Sequence, residues 1–375
     1  MISRTNRLSP RRPTPWLVEI IKKDGRMADI DTVIERGVTK LGQPSGAWTS
    51  SAGGGAEGLT RRMSAATLDA IDAAVRATEG READAVTQDD FGAPEIASLM
   101  AAVNYDIVAG RGAVLLTGVD MSRYDEEQFK RLHFGLGTHL GRAVEQSARH
   151  DRIGMVRKEP NPERRGYLND TELGPHTDYH EILSLASVVA SETGGVSGMV
   201  SAAAVYEAMR QERPDLLEPL LEGYYYPTSM ETVTDYKVPT FSVIDGHVAI
   251  YNYIIYIPQA AAIRGEPVPP KLIEALRYLS RVAMRPEHMV SFTLQPGEMI
   301  FWHNFRVMHS RTGFKNVPGR ERLLFRLWLD AHERYPLAKG YRETGKLLER
   351  QHAEGWSMLV NTDESLQAVY QMMRA

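Results

Sequence analysis

Apolar residues recur along this chain at two different periods, and the change from one to the other divides it. From Ser64 onward Leu68, Ile71 and Val75 fall at helical spacing, with a serine placed to cap the first turn, so a helix is predicted up to Thr78. Ala113–Thr117 (AVLLT), closed by Gly118, has the length and content of a buried strand. Asp125 and Gln128 then stand at capping-box spacing ahead of Phe129, Leu132, Leu136 and Leu140, which share one helical face until Gly141.

Beyond Gly141 the helical period gives way to short apolar or alternating runs punctuated by glycine and proline. They are Ile153–Val156, Ile182–Val189, Met199–Ser201, Phe241–Ile244, Val248–Tyr253, Phe292–Leu294, Met299–Trp302, Val307–Ser310 and Leu323–Leu329. Many short strands of this kind predict a β-sandwich or jelly roll. Two helical insertions interrupt them, near residues 202–221 and 268–284, the second opened by Pro269 and Pro270. The expected fold is mainly β with helical additions (α+β). Residues 1–60, with Pro10, Pro13 and Pro15 near one end and SSAGGGAEG (Ser50–Gly58) at the other, predict a partly irregular N-terminal extension, and residues 61–375 a single domain.

Composition narrows the function. Of 375 residues, 43% are hydrophobic and 25% charged, ordinary for a soluble globular chain. A net charge of −4 offers no general attraction to nucleic acid or to an anionic membrane, which leaves a small molecule as the expected partner. No apolar run approaches the ~18 residues of a membrane helix. The basic start (Arg4, Arg7, Arg11, Arg12) lacks the apolar stretch of a secretion signal, so a cytoplasmic location is expected, with homo-oligomerisation left open. The absence of cysteine excludes disulfides, thiolate metal sites, iron–sulfur clusters and cysteine nucleophiles. Any metal must then be held by histidine and carboxylate.

Such ligands stand in Leu173–Ile182, which reads LGPHTDYHEI. If this segment is extended, His176 and Asp178 project to the same face. An imidazole and a carboxylate side by side are two thirds of the 2-His-1-carboxylate triad, which leaves one side of Fe(II) open. An HxD triplet alone is weak, because most such pairs are surface or capping groups. The third ligand must be a distant histidine. Leu294–Leu329 (LQPGEMIFWHNFRVMHSRTGFKNVPGRERLLFRLWL) offers His303, beside a predicted turn at Asn304, and His309, in the strand that follows. Only a closed β-fold could bring either of them to His176. In the last strand Arg326 alternates onto one face with Leu324 and Trp328, and an arginine in so apolar a strand needs an anionic partner.

Taken together, these segments resemble the TauD/TfdA group of Fe(II)/2-oxoglutarate dioxygenases over roughly residues 90–335. PGEMIFWHNFRVMHSRTGF is similar to the family stretch that carries the distal histidine ligand, with His309 in that place. RERLLFRLWL resembles the strand that bears the arginine for the 5-carboxylate of 2-oxoglutarate, and puts Arg326 there. GGVSGMVSAAAVYEAM resembles the loop whose hydroxyl residue helps hold the same carboxylate, here Ser197. The resemblance implies a double-stranded β-helix, a cupin-like jelly roll flanked by helices. It implies Fe(II) on His176, Asp178 and His309, 2-oxoglutarate and O2 as co-substrates, and oxidation of a C–H bond of a small molecule with release of succinate and CO2. Hydroxylation is the expected outcome, and the substrate an amino acid, a small carboxylate or a natural-product intermediate. Halogenases that resemble this group replace the carboxylate ligand with a small residue, so Asp178 points to oxygen transfer.

Alternatives stay open within this reading. Arg322 or Arg320 could be the anchor in place of Arg326, Arg326 could pair with a structural carboxylate, and Ser197 could be a turn residue. Tyr167, Asn169, Tyr179, His180, Asn252 and Arg306 are the candidate substrate contacts, since they flank the metal strands or match cavity positions in the family. The rival classes are a metal-dependent cupin-like enzyme that does not use 2-oxoglutarate and a non-catalytic jelly-roll binding protein.

Overall fold

Ser64 opens the first long helix as expected, its side chain accepting from the backbone N–H of Thr67 at the head of α1 (Ala65–Ala77). The computed structural model of the chain describes residues 46–147, 149–159, 170–354 and 372–373, so Tyr167 and Asn169 lie outside the described residues. A second helix, α2 (Pro94–Val108), was not expected, although Ile96, Met100, Val103 and Ile107 recur at helical spacing and are all buried. The capping box of Asp125 and Gln128 forms in both directions at the start of α3 (Glu126–Gly137). The insertions fold as α4 (Ala202–Glu212) with α5 (Leu217–Glu222), and as α7 (Pro270–Ala283). Between them lies α6 (Ile257–Arg264), and α8 (Tyr341–Ala353) follows the last strand.

The strands begin with β1 (Thr60–Arg62), β2 (Ala113–Thr117), β3 (Gly141–Ala143), β4 (Gly154–Val156) and β5 (Leu173–His176). They continue with β6 (Ile182–Val189), β7 (Thr193–Gly194), β8 (Ser197–Ser201), β9 (Phe241–Ile244) and β10 (His247–Ile250). The last are β11 (Met289–Phe292), β12 (Met299–His303), β13 (Val307–Arg311), β14 (Phe314–Lys315) and β15 (Leu323–Ala331). The larger sheet has the order β1-β2-β12-β6-β15-β3, with β4 also on β15, and the smaller has the order β11-β8-β13-β5. Neighbours distant in sequence pair throughout, as a double-stranded β-helix requires. β1 begins at Thr60, the end of the segment read as irregular, and pairs in parallel with β2.

Each face of β15 has its own neighbours. Phe325 packs on Phe129 of α3, with ring centroids 6.2 Å apart, so the odd positions cover the helical layer. The even positions turn the other way, toward the second sheet. Between α3 and β6, buried His133 meets Ser184 Oγ at 2.7 Å, and burial lowers its pKa to about 3. An unfolded histidine protonates near 6.5, so from there down to about 3 the unfolded chain binds the extra proton. This contribution to stability is complete above about pH 6.5 and is lost as pH falls toward 3. Urea midpoints are expected to drop between about pH 7 and about pH 5, with a shallower slope in His133→Gln, which keeps an amide for Ser184.

Candidate metal centre

β5 ends at His176, so the expected extended HTD segment is corrected by the structure: Asp178 sits in the irregular stretch after the strand. Its position is set by two buried amides instead of by strand alternation. Asn252 donates to the Pro175 carbonyl (3.0 Å), while its own N–H reaches Thr177 Oγ1 (2.8 Å). Asn304, 126 residues from Asp178, accepts from the Asp178 N–H at 3.0 Å and donates to the carbonyls of Asp178 and His180, both at 2.8 Å. A buried loop has polar backbone that must find partners, and these two side chains supply them.

The distal histidine arrives through the smaller sheet. His309 on β13 stands directly opposite His176 on β5, with ring centroids 4.2 Å apart. One ligand-capable atom each from His176, Asp178 and His309 lies within 4.8 Å of the others. His303 faces elsewhere, its ring 5.1 Å from that of Tyr335. The donor set is two imidazoles and a carboxylate, which fits a divalent iron with open positions. His176 Nδ1 lies 2.8 Å from the Gly174 carbonyl, which fixes the proton there and leaves Nε2 with its lone pair. Burial, then the neighbouring His176, pushes His309 down to about 3, so its ring is neutral near pH 7 and able to ligate. Burial opposes ionisation of Asp178, but His309, Arg326, His176 and the Trp328 N–H outweigh it, and the carboxyl sits below its usual range.

The larger sheet closes the other side. Trp302 on β12 packs on His309 (4.9 Å), and Trp328 on β15 donates from Nε1 to Asp178 Oδ2 at 2.9 Å. Arg326, on the same face of β15, lies over the Trp328 ring at 4.1 Å. Its Nε donates to Gln146 Oε1 at 2.8 Å, and Gln146 in turn donates to the Arg326 carbonyl at 2.9 Å. Neither Gln146 nor Trp328 was among the candidate site residues. The alternation that singled out Arg326 carried Trp328 with it, whereas nothing in the sequence places Gln146 beside β15.

Arg322 has a different setting. It is buried, its guanidinium covers Phe314 at 5.0 Å, Arg311 covers the same ring at 4.9 Å, and its Nη1 has no hydrogen-bond partner among the described residues. Burial and then Arg311 lower its pKa to about 10. Ser197 is buried opposite Arg311 in the ladder, and the Gly195 backbone lies close to Arg322 Nε.

Of the candidate substrate contacts, Tyr179 packs on Trp328 at 4.7 Å, and His180 Nδ1 lies 3.6 Å from Asp330 Oδ1. Arg306 donates to the carbonyls of Ile107 and Gly110, both at 2.8 Å, and so satisfies the open carbonyl end of α2. Asn252 likewise spends its polar groups on the ligand loop.

FR-33289 synthase of Streptomyces rubellomurinus is 25% identical over 237 residues, covering 59% of this chain and 69% of that protein. Taurine hydroxylase-like protein SAT17 of Stachybotrys chartarum is 24% identical over 293 residues, covering 73% of this chain and 75% of its own length. In fold the chain is similar to an asparagine oxygenase solved with Fe(II), 2S,3S-3-hydroxyasparagine and succinate, with a TM-score of 0.55 at 15% identity over 72% of this chain and 93% of that one. It is also similar to the non-heme iron oxygenase OrfP solved with Fe, succinate and (3R,4R)-dihydroxy-L-Arg, with a TM-score of 0.55 at 14% identity and the same coverage. Residues 77–328 match the taurine catabolism dioxygenase TauD, TfdA family, and the chain belongs to it.

Proposed function

We propose that this dioxygenase hydroxylates a small molecule bearing a carboxylate, such as an amino acid, using Fe(II), 2-oxoglutarate and O2. The observation that carries the reading is the convergence of His176, Asp178 and His309 within 4.8 Å, together with two buried arginines, Arg326 on β15 and Arg322 just before it. Iron held there supplies the oxidising chemistry, coupling decarboxylation of 2-oxoglutarate to succinate with oxygenation of a C–H bond.

The chain's own residues bind and orient. The Arg322 guanidinium, buried with that of Arg311 against Phe314, creates a demand for an anion, and Arg322 has no salt-bridge partner among the described residues. Arg322, with the Ser197 hydroxyl, therefore takes the far carboxylate of 2-oxoglutarate through a planar, two-pronged grip. Arg326 is left for the substrate. Its guanidinium is close enough to act electrostatically on Asp178 and His309, so a carboxylate bound to it is held next to the reacting centre. Tyr179, Trp328 and Trp302 provide apolar walls that keep water away. The amino-acid complexes of the two similar folds support a substrate of this size and polarity.

Protein loaded with Fe(II) under air and given 2-oxoglutarate should release succinate, faster when its amino-acid substrate is present, and mass spectrometry should find a product that has gained one oxygen. Turnover of a metabolite extract with no succinate formed would favour the cupin-like rival and remove 2-oxoglutarate from the scheme.

A further inference from the structure

A carboxylate ligand can hold a metal through one oxygen or through both. An aspartate that used both would fill one of the positions that a three-ligand site must keep open. In this protein one oxygen is already engaged, since Asp178 Oδ2 accepts from the Trp328 indole N–H at 2.9 Å in a buried setting. We propose that Trp328 is a positioning residue whose N–H keeps Asp178 a one-oxygen ligand and so keeps a coordination position free for the co-substrate. The inference rests on the metal-centre reading above.

The indole is built to stay in place. Its ring is covered by the Arg326 guanidinium at 4.1 Å and met edge-on by Tyr179 at 4.7 Å and 63°. Arg326 is itself fixed through Nε by Gln146. Trp328 is 4% exposed, so water cannot take over its hydrogen bond, and Asp178 is held at its backbone by Asn304 from the other side. The carboxylate therefore has its main chain and one oxygen fixed by separate elements, leaving Oδ1 for the metal. Trp328→Phe would retain an aromatic ring and its packing while deleting the indole N–H aimed at Oδ2. Groups that orient metal ligands in this way typically contribute ~10–100-fold to metal affinity.

The test is titration of the apoprotein with Co(II), comparing wild type, Trp328→Phe and His309→Ala. Wild type should bind, His309→Ala should not, and Trp328→Phe should bind about 10-fold or more weakly, with a ligand-field spectrum shifted toward a higher coordination number. Trp328→His, which keeps a ring N–H, should recover affinity and spectrum in part, and carries the test if the phenylalanine variant does not fold. A wild type that binds no Co(II) removes the metal-centre reading itself. A wild type that binds, with Trp328→Phe unchanged in affinity and spectrum, overturns the role of Trp328 alone.

Discussion

Replacing His309 by alanine should abolish iron retention and with it succinate formation, while leaving the fold intact. His309 is one of three groups whose ligand atoms lie within 4.8 Å of each other, and it faces His176 across a single rung of the β5–β13 ladder. Its removal leaves one imidazole and one carboxylate, which together cannot compete with water for Fe(II) as three can. The loss should exceed the ~100-fold that removing a hydrogen bond to a metal ligand costs. The backbone pairing of β13 with β8 does not involve the side chain, so the circular dichroism spectrum should be unchanged. His309→Gln, closer in volume, separates loss of the ligand from loss of packing. Equilibrium dialysis against Fe(II) under nitrogen decides the matter, and undiminished binding by both variants would remove His309 from the site.

The second large effect separates Arg326 of β15 from Arg322, which immediately precedes that strand. Arg322→Met should raise KM for 2-oxoglutarate on the order of 100-fold, since a two-pronged grip on a carboxylate contributes roughly 3 kcal/mol. Once 2-oxoglutarate is saturating, kcat should largely return, because the lost contact binds ground and transition state alike. Arg326→Met should instead raise KM for the primary substrate and leave that for 2-oxoglutarate within a few-fold. Arg326 sits nearer the metal ligands and is aimed by Gln146, whereas Arg322 shares its burial with Arg311 and the Gly195 loop. If the two KM effects are exchanged, Arg326 is the co-substrate anchor, as the family resemblance first suggested.

Outside the metal site, one further contact ties the ligand loop to the end of the domain. Buried Glu181, three residues past Asp178, receives two hydrogen bonds from Arg342 of α8 (2.8 and 3.0 Å) and one from Arg334. Glu181→Gln leaves two guanidinium groups without their carboxylate, so thermal stability should fall by ~2–4 kcal/mol. A melting temperature equal to that of wild type would show that α8 is held by its apolar face alone.

The sequence by itself determined the elements and the chemistry available to them. Capping signals at Ser64 and Asp125 and the alternation of Leu323–Leu329 were enough for two helices and for the strand that bears Arg326, because these are local properties of backbone hydrogen bonding and side-chain period. The same alternation placed Arg326, Leu324 and Trp328 on one face. The lack of cysteine confined any metal to His and carboxylate. Tertiary structure alone decided which groups meet. His309 reaches His176 only because β13 pairs with β5, and Asp178 is aimed by Asn304 and Trp328, which lie 126 and 150 residues away. The division between Arg322 and Arg326 was likewise invisible, since the two stand four positions apart in one short run, RERLLFRLWL. What separates them is Gln146 beside one and Arg311 beside the other, and such neighbours are fixed by the packing of sheets and loops, which no local period records.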